Sequence, residues 1–157
     1  MSDTPDKSLK GTLEVVGVCA VLVGLFFVGI ELRQNTASVR AATSQGLLEM
    51  ANQSGYAVAS DPAFAEFLFK ADAGINGLSD VERYRYRNFV QSEFNIWEQA
   101  FYVHADGTLN DRLWQAYDNS YRSYFCEPSP QVIWREIEHH FGAEFRDHVD
   151  GATPDAC

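Results

Sequence analysis

From Val15 to Ile30 the chain runs for 16 residues without a charge, and the wider span Thr12–Leu32 holds 21 residues with Glu14 and Glu31 near its ends. As a helix rising about 1.5 Å per residue, that span covers about 30 Å, the hydrocarbon thickness of a bilayer. A helix that is apolar around its whole circumference must be buried, in lipid or in a protein core. A core helix is seldom apolar on every side for about four turns. A secretory signal would be followed by a small-x-small cleavage pattern, whereas Glu31-Leu32-Arg33-Gln34-Asn35 follows here. The expectation is an uncleaved transmembrane anchor at 12–32 of a single-pass inner (cell) membrane protein, preceded by a polar tail at 1–11.

No breaker follows the anchor. Between Glu31 and Ser60 there is no proline, and Gly46 and Gly55 are isolated. Leu32, Val39, Leu47, Met50, Ser54 and Val58 approximate a stripe at helical spacing, so one helix is expected to run on to Asp61-Pro62. Asp61 then caps a second helix with Pro62 at its first position. Ser79-Asp80-Val81-Glu82 is a capping box for a long third helix, closed near Ala105 by Asp106-Gly107. Asn110 or Asp111 opens a fourth helix through Phe125. Pro128 and Pro130 are read as an interruption before a fifth helix from about Gln131 to Phe141, with a last turn around Phe145 to Val149. No strand alternation, hairpin signal or internal repeat occurs. The fold class is all-α: an N-terminal transmembrane helix continuing into a small antiparallel bundle at 33–150, with a C-terminal tail at 151–157.

Charge narrows the partners. Acidic residues outnumber basic ones by 22 to 12, and by 18 to 10 from Arg33 onward, leaving about −8 on the part beyond the anchor. Such a surface repels phosphate backbones, which argues against nucleic acid. The three cysteines, Cys19, Cys126 and Cys157, form no metal-ligand spacing. Glu136-Ile137-Glu138-His139 is a single E-x-x-H, but carboxylate-bridged metal bundles need a second copy and further inward glutamates. His104 sits where a helix C-terminus would hold it by its dipole. No catalytic residue, metal site or cofactor is assigned.

Two surfaces remain as binding candidates. Gly17, Ala20, Gly24 and Glu31 share one helical face, where small side chains let another membrane helix approach closely. Beside it Arg33 can snorkel to headgroups, while Gln34 and Asn35 complete a polar collar suited to water, lipid or a neighbouring helix. The aromatic series in the third and fourth helices includes Phe94, Trp97, Phe101 and Trp114. Large rings at such spacing fit the core of a small bundle; the alternative is an aromatic-lined pocket for a lipid or pigment.

The motifs Glu31-Leu32-Arg33-Gln34-Asn35, Val39-Arg40-Ala41-Ala42-Thr43, Asp61-Pro62, Leu78-Ser79 with Glu82-Arg83, and Trp97-Glu98 with Phe101-Tyr102 occur in that order. Gly107, Leu109, Trp114, Trp134, Phe141 and Phe145 follow. In this combination the chain resembles a group of uncharacterised bacterial single-pass membrane proteins with the Glu-Leu-Arg-Gln-Asn motif at the end of the N-terminal transmembrane helix. The resemblance implies an anchor joined to a small helical domain and carries no activity. Lys7, Lys10 and the terminal amine nearly balance Arg33 and Arg40 under the positive-inside rule. The Arg-rich flank of the resembling proteins tips the expectation to a cytoplasmic domain, with Cys126 and Cys157 as free thiols.

Taken as function, these residues favour a membrane-anchored interaction module, an accessory or scaffolding subunit that binds another integral membrane protein. The alternatives are a ligand or lipid sensor built on the aromatic cluster, and a metal- or small-molecule-handling enzyme using Glu98, Glu136, His139 and His140.

Overall fold

The computed structural model describes residues 6–151, with side-chain surroundings from Gly11 onward. The expected tail segments 1–5 and 152–157 lie outside the described residues. The first helix, α1 (Asp6–Ser60), is one element of 55 residues. It begins ahead of the expected boundary because Lys7 to Lys10 contain no breaker and Gly11 stands alone. Five helices follow: α2 (Pro62–Asp72), α3 (Asp80–Ala105), α4 (Asp111–Phe125), α5 (Pro128–Ile137) and α6 (Ala143–Asp150). There is no strand among the described residues. The chain divides into two compact units, 1–41 and 42–157.

In the first unit α1 contains a run long and apolar enough to cross a membrane, and none of it is buried within the protein. Every residue from Gly11 to Ala42 is exposed. Leu, Val and Phe side chains over this length cannot face water without a large penalty, so this helix anchors the protein in a membrane.

In the second unit the helix starts follow local chemistry. Asp61 Oδ1 accepts the Ala63 and Phe64 N–H groups at 3.0 and 3.1 Å, and Pro62 occupies the first turn, where its missing N–H costs nothing. The capping box of α3 is complete: Glu82 Oε2 accepts the Ser79 N–H at 2.7 Å, and Ser79 Oγ accepts the Glu82 N–H at 3.4 Å. Lys70 reaches the same carboxylate at 2.7 Å; its hydrogen bond, then those of Ser79, hold the Glu82 carboxyl down at about 2. Gly107 stops α3 with φ of 70°, a left-handed conformation that glycine adopts without Cβ strain. Asn110 Oδ1 accepts the Leu113 N–H at 3.0 Å and opens α4.

The expectation for α5 needs correction. Pro128 and Pro130 start this helix instead of interrupting it, because both fall within the first turn, where backbone N–H groups have no partner to lose. Its far end tightens after Ile137 into a 3-10 turn at Glu138–His140.

The core forms around α3. Phe94 stacks on Trp134 with centroids 4.6 Å apart, and Phe125, Phe141 and Phe145 surround the same indole. Trp97 stacks on Tyr121, and Phe101 meets Trp114. These pairs advance along α3 while retreating along α4, so the two helices are antiparallel. Buried Ser129 ties α5 to α2 through the Ala71 carbonyl at 2.8 Å. Among the described side chains of α1, Leu47 alone is fully buried, with Met50 and Val58 partly covered. Leu32 and Val39, the earlier members of the expected stripe, are exposed.

Both tryptophans belong to the bundle, to unequal degrees. Trp97 is 1% exposed and donates to Asp118 at 3.0 Å, whereas Trp114 is half-buried against Phe101 and His104. Trp97→Ala should cost about 3–5 kcal/mol and Trp114→Ala clearly less, read by chemical denaturation of the full chain in detergent. Equal, negligible losses would place both rings outside the core.

Candidate functional site

Small side chains at helical spacing shape an open cleft. On α1, Ser44, Leu48, Ala51 and Gly55 fall on one face beside the Leu47 face, and on α4 Leu113, Ala116, Ser120 and Tyr124 do the same. Where these faces oppose each other there is too little side-chain bulk to close the gap. The result is a groove of ≈ 690 Å³, walled by α1 and α4 and floored by Phe89 and Glu93 of α3. A second, smaller groove of ≈ 450 Å³ runs along the other flank of α1, against Phe64 of α2 and Phe89 and Ile96 of α3. Leu48, which lines the larger groove, remains 55% exposed, and Tyr56 is 72% exposed.

Glu93 is the one acidic or basic side chain lining the larger groove. Ser54 donates its hydroxyl to the Glu93 carboxylate in a short hydrogen bond, and the Tyr121 hydroxyl also bonds to it. Among the described residues no lysine, arginine or histidine pairs with it. Burial pushes its carboxyl above the usual range, and the two hydrogen bonds offset this only in part. Burial likewise raises the Tyr117, Tyr121 and Tyr124 phenols, with Glu93 adding to the effect on Tyr121. The Tyr117 hydroxyl is buried with no hydrogen-bond partner among the described residues.

A polar network lies on the opposite side of Tyr121. Asp118 accepts from Trp97 Nε1 at 3.0 Å, Arg122 Nε at 2.6 Å and His148 Nε2 at 2.6 Å. Burial alone would raise the Asp118 carboxyl, but the His148 and Arg122 bonds outweigh it and hold it low. The His148 ring packs among Trp97, Phe101 and Trp114. With its carboxylate satisfied by three donors, this network cross-links α3, α4 and α6.

The residues singled out from the sequence are distributed as follows. Gly17, Ala20, Gly24, Glu31, Arg33, Gln34 and Asn35 are all exposed on α1, and a Cβ added at Gly17 or Gly24 would meet nothing within 4 Å. Arg33 points away from the small-residue face, on the far side of the helix. Phe94 and Trp97 are fully buried and Phe101 and Trp114 partly so, all within the packed core and none lining the grooves described above. Glu136 pairs with Arg83, Glu98 accepts the Gly142 N–H at 2.7 Å, and the His139 and His140 rings meet at a tilt on the surface. Among the described residues no three metal-ligating side chains cluster.

Cys126 corrects an expectation. It is disulfide-bonded, not a free thiol, while Cys19 is free and exposed. Separation along the chain says nothing about separation in space, so the absence of a CxxC motif did not exclude a bridge. Cys157, the other cysteine expected to be free, lies outside the described residues. No protein-family model matches the chain, and neither curated proteins nor solved structures include a match to it.

Glu93 costs stability where it stands. A carboxyl whose folded value is raised favours the folded state below its unfolded value, near pH 4, and loses that contribution as pH rises. Glu93→Gln keeps an acceptor for Ser54 and removes the charge, so it should stabilise the domain at pH 7 by on the order of 1 kcal/mol. Thermal melts should show this gain at pH 7 and its disappearance below about pH 4. An unchanged or lowered melting temperature at pH 7 would mean that the carboxylate is well solvated.

Proposed function

We propose that this protein is a membrane-anchored interaction module, an accessory subunit that holds another integral membrane protein through its transmembrane helix and polar collar. The observation that carries this reading is the state of α1 between Gly11 and Ala42. Every side chain there is exposed, and Glu31, Gln34 and Asn35 form no hydrogen bond or ion pair with another side chain among the described residues. An anchor alone needs apolar length and a snorkelling cation such as Arg33. An acidic residue and two amides at the membrane end exceed that need, and polar side chains there find partners on neighbouring helices. Gly17, Ala20 and Gly24 leave the same face as Glu31 open to close approach. The chemistry called for in the partner is a membrane helix with donor groups at its interfacial end.

The disulfide at Cys126 bears on the side of the membrane. Disulfides persist in oxidising compartments and are rare in the reducing cytosol. This supports a bundle on the outer, oxidising face, against the cytoplasmic expectation to which the Arg-rich flank of the resembling proteins tipped a near-balance of flanking charge.

Replacing Ala20 and Gly24 together by Leu fills the open face and leaves the segment apolar, so insertion is retained. Partners should be lost from mild-detergent purifications, and the native size should fall to that of the isolated chain. Retention of every partner and of native size would remove the transmembrane face from the account.

A further inference from the structure

The groove between α1 and α4 is separate from the transmembrane face, and its chemistry is selective. Its ≈ 690 Å³ lies in the range of small-molecule sites. Leu48, Ala51, Leu113 and Ala116 give its walls an apolar surface, and Phe89, Tyr117, Tyr121 and Tyr124 add four aromatic rings. A single carboxylate, that of Glu93, lies among them, and no cationic side chain does. An anionic ligand such as a fatty acid would bring a second negative charge beside Glu93 into a site whose lining holds no compensating cation. A neutral ligand would leave Glu93 as costly as before. A cation with an apolar body answers both features: the ammonium pairs with the carboxylate and rests on the aromatic faces, and the body fills the space that small side chains leave.

We infer that this groove binds a small organic ammonium ion carrying an alkyl or aryl body, with Glu93 as its counter-ion and the surrounding tyrosines as its cage. Charge complementarity extends past the groove, because the part of the chain from Arg33 onward carries 18 acidic against 10 basic residues and draws cations toward it. The raised Glu93 carboxyl follows from the same arrangement, since burial is opposed by hydroxyls alone. Retaining an uncompensated acid at the floor of an unfilled cleft costs stability, and a cationic ligand supplies the missing charge. The inference goes beyond the accessory-subunit reading and does not depend on it.

One chain length with three head groups tests it. The full chain in lipid nanodiscs is titrated calorimetrically with hexylammonium, 1-hexanol and hexanoate, with empty nanodiscs subtracted. Hexylammonium should saturate at one site per chain with a Kd of about 1 mM or tighter. Hexanol should bind about tenfold more weakly and hexanoate not at all. Glu93→Gln, its fold checked by the same thermal melt, should weaken hexylammonium by about tenfold and leave hexanol unchanged. Ala116→Trp should fill the groove and abolish binding of both while helicity and melting temperature are kept. Nα-acetyl-lysine methylamide, a lysine side chain with its backbone attached, should bind more weakly than hexylammonium. Tighter binding of that lysine probe would make a partner's lysine the occupant and overturn the small-ligand proposal. Equal binding of all three head groups, indifference to Glu93→Gln or to Ala116→Trp, or no saturable binding would overturn the site.

Discussion

A helix with 16 consecutive uncharged residues cannot remain in water, and that constraint organises the chain. Burying so much apolar surface is worth tens of kcal/mol at about 25 cal/mol per Å², far more than any other single element of this protein can gain. The protein itself offers no cover for it, so the bilayer must. Because no proline or paired glycine interrupts the following residues, the same helix continues to Ser60 and enters the second unit as one of its walls.

Within the bundle α1 contributes differently from the other helices. The centre is held by stacked rings of α3, α4, α5 and α6 around Phe94 and Trp134, and by the Asp118 carboxylate that joins three helices. Leu47 is the one side chain of α1 buried to a comparable degree. On either side of it, Ser44, Ala51 and Gly55 and then Ala57 are too small to close the space to the neighbouring helices. A bundle selected for stability alone would fill those flanks with Leu or Ile and would not half-bury Glu93 without a cation. Both departures fall in one place, which is the physical ground for reading that place as a site.

What was legible in the sequence was local. Asp61 with Pro62, Ser79 with Glu82, and Asn110 announce helix starts within four residues of themselves, and the anchor is a property of one continuous stretch. The prolines of α5 misled because two of them in three residues look like a break, although both fit an opening turn. The groove was not legible, since it needs three helices in register, and Ser44, Ala51 and Gly55 signal it only as small residues on a face next to the core stripe. His148 lies 30 positions from Asp118, and no spacing rule joins them. The aromatic series was correctly suggestive of a core, and its richest part is solid, while the cleft uses the later tyrosines of α4.

The proposed placement, with α1 across the bilayer and the bundle on the oxidising side, can be tested in both parts at once with the chain's own cysteines. Intact cells are treated with a membrane-impermeant reductant, then with an impermeant maleimide, and the modified cysteines are located by peptide mass spectrometry. The account predicts modification of Cys126 without lysis, dependent on prior reduction, with Cys19 unmodified because lipid covers it. Modification of Cys19 would put the apolar run in water, and modification of Cys126 only after lysis would put the bundle inside the cell; either result would contradict the account.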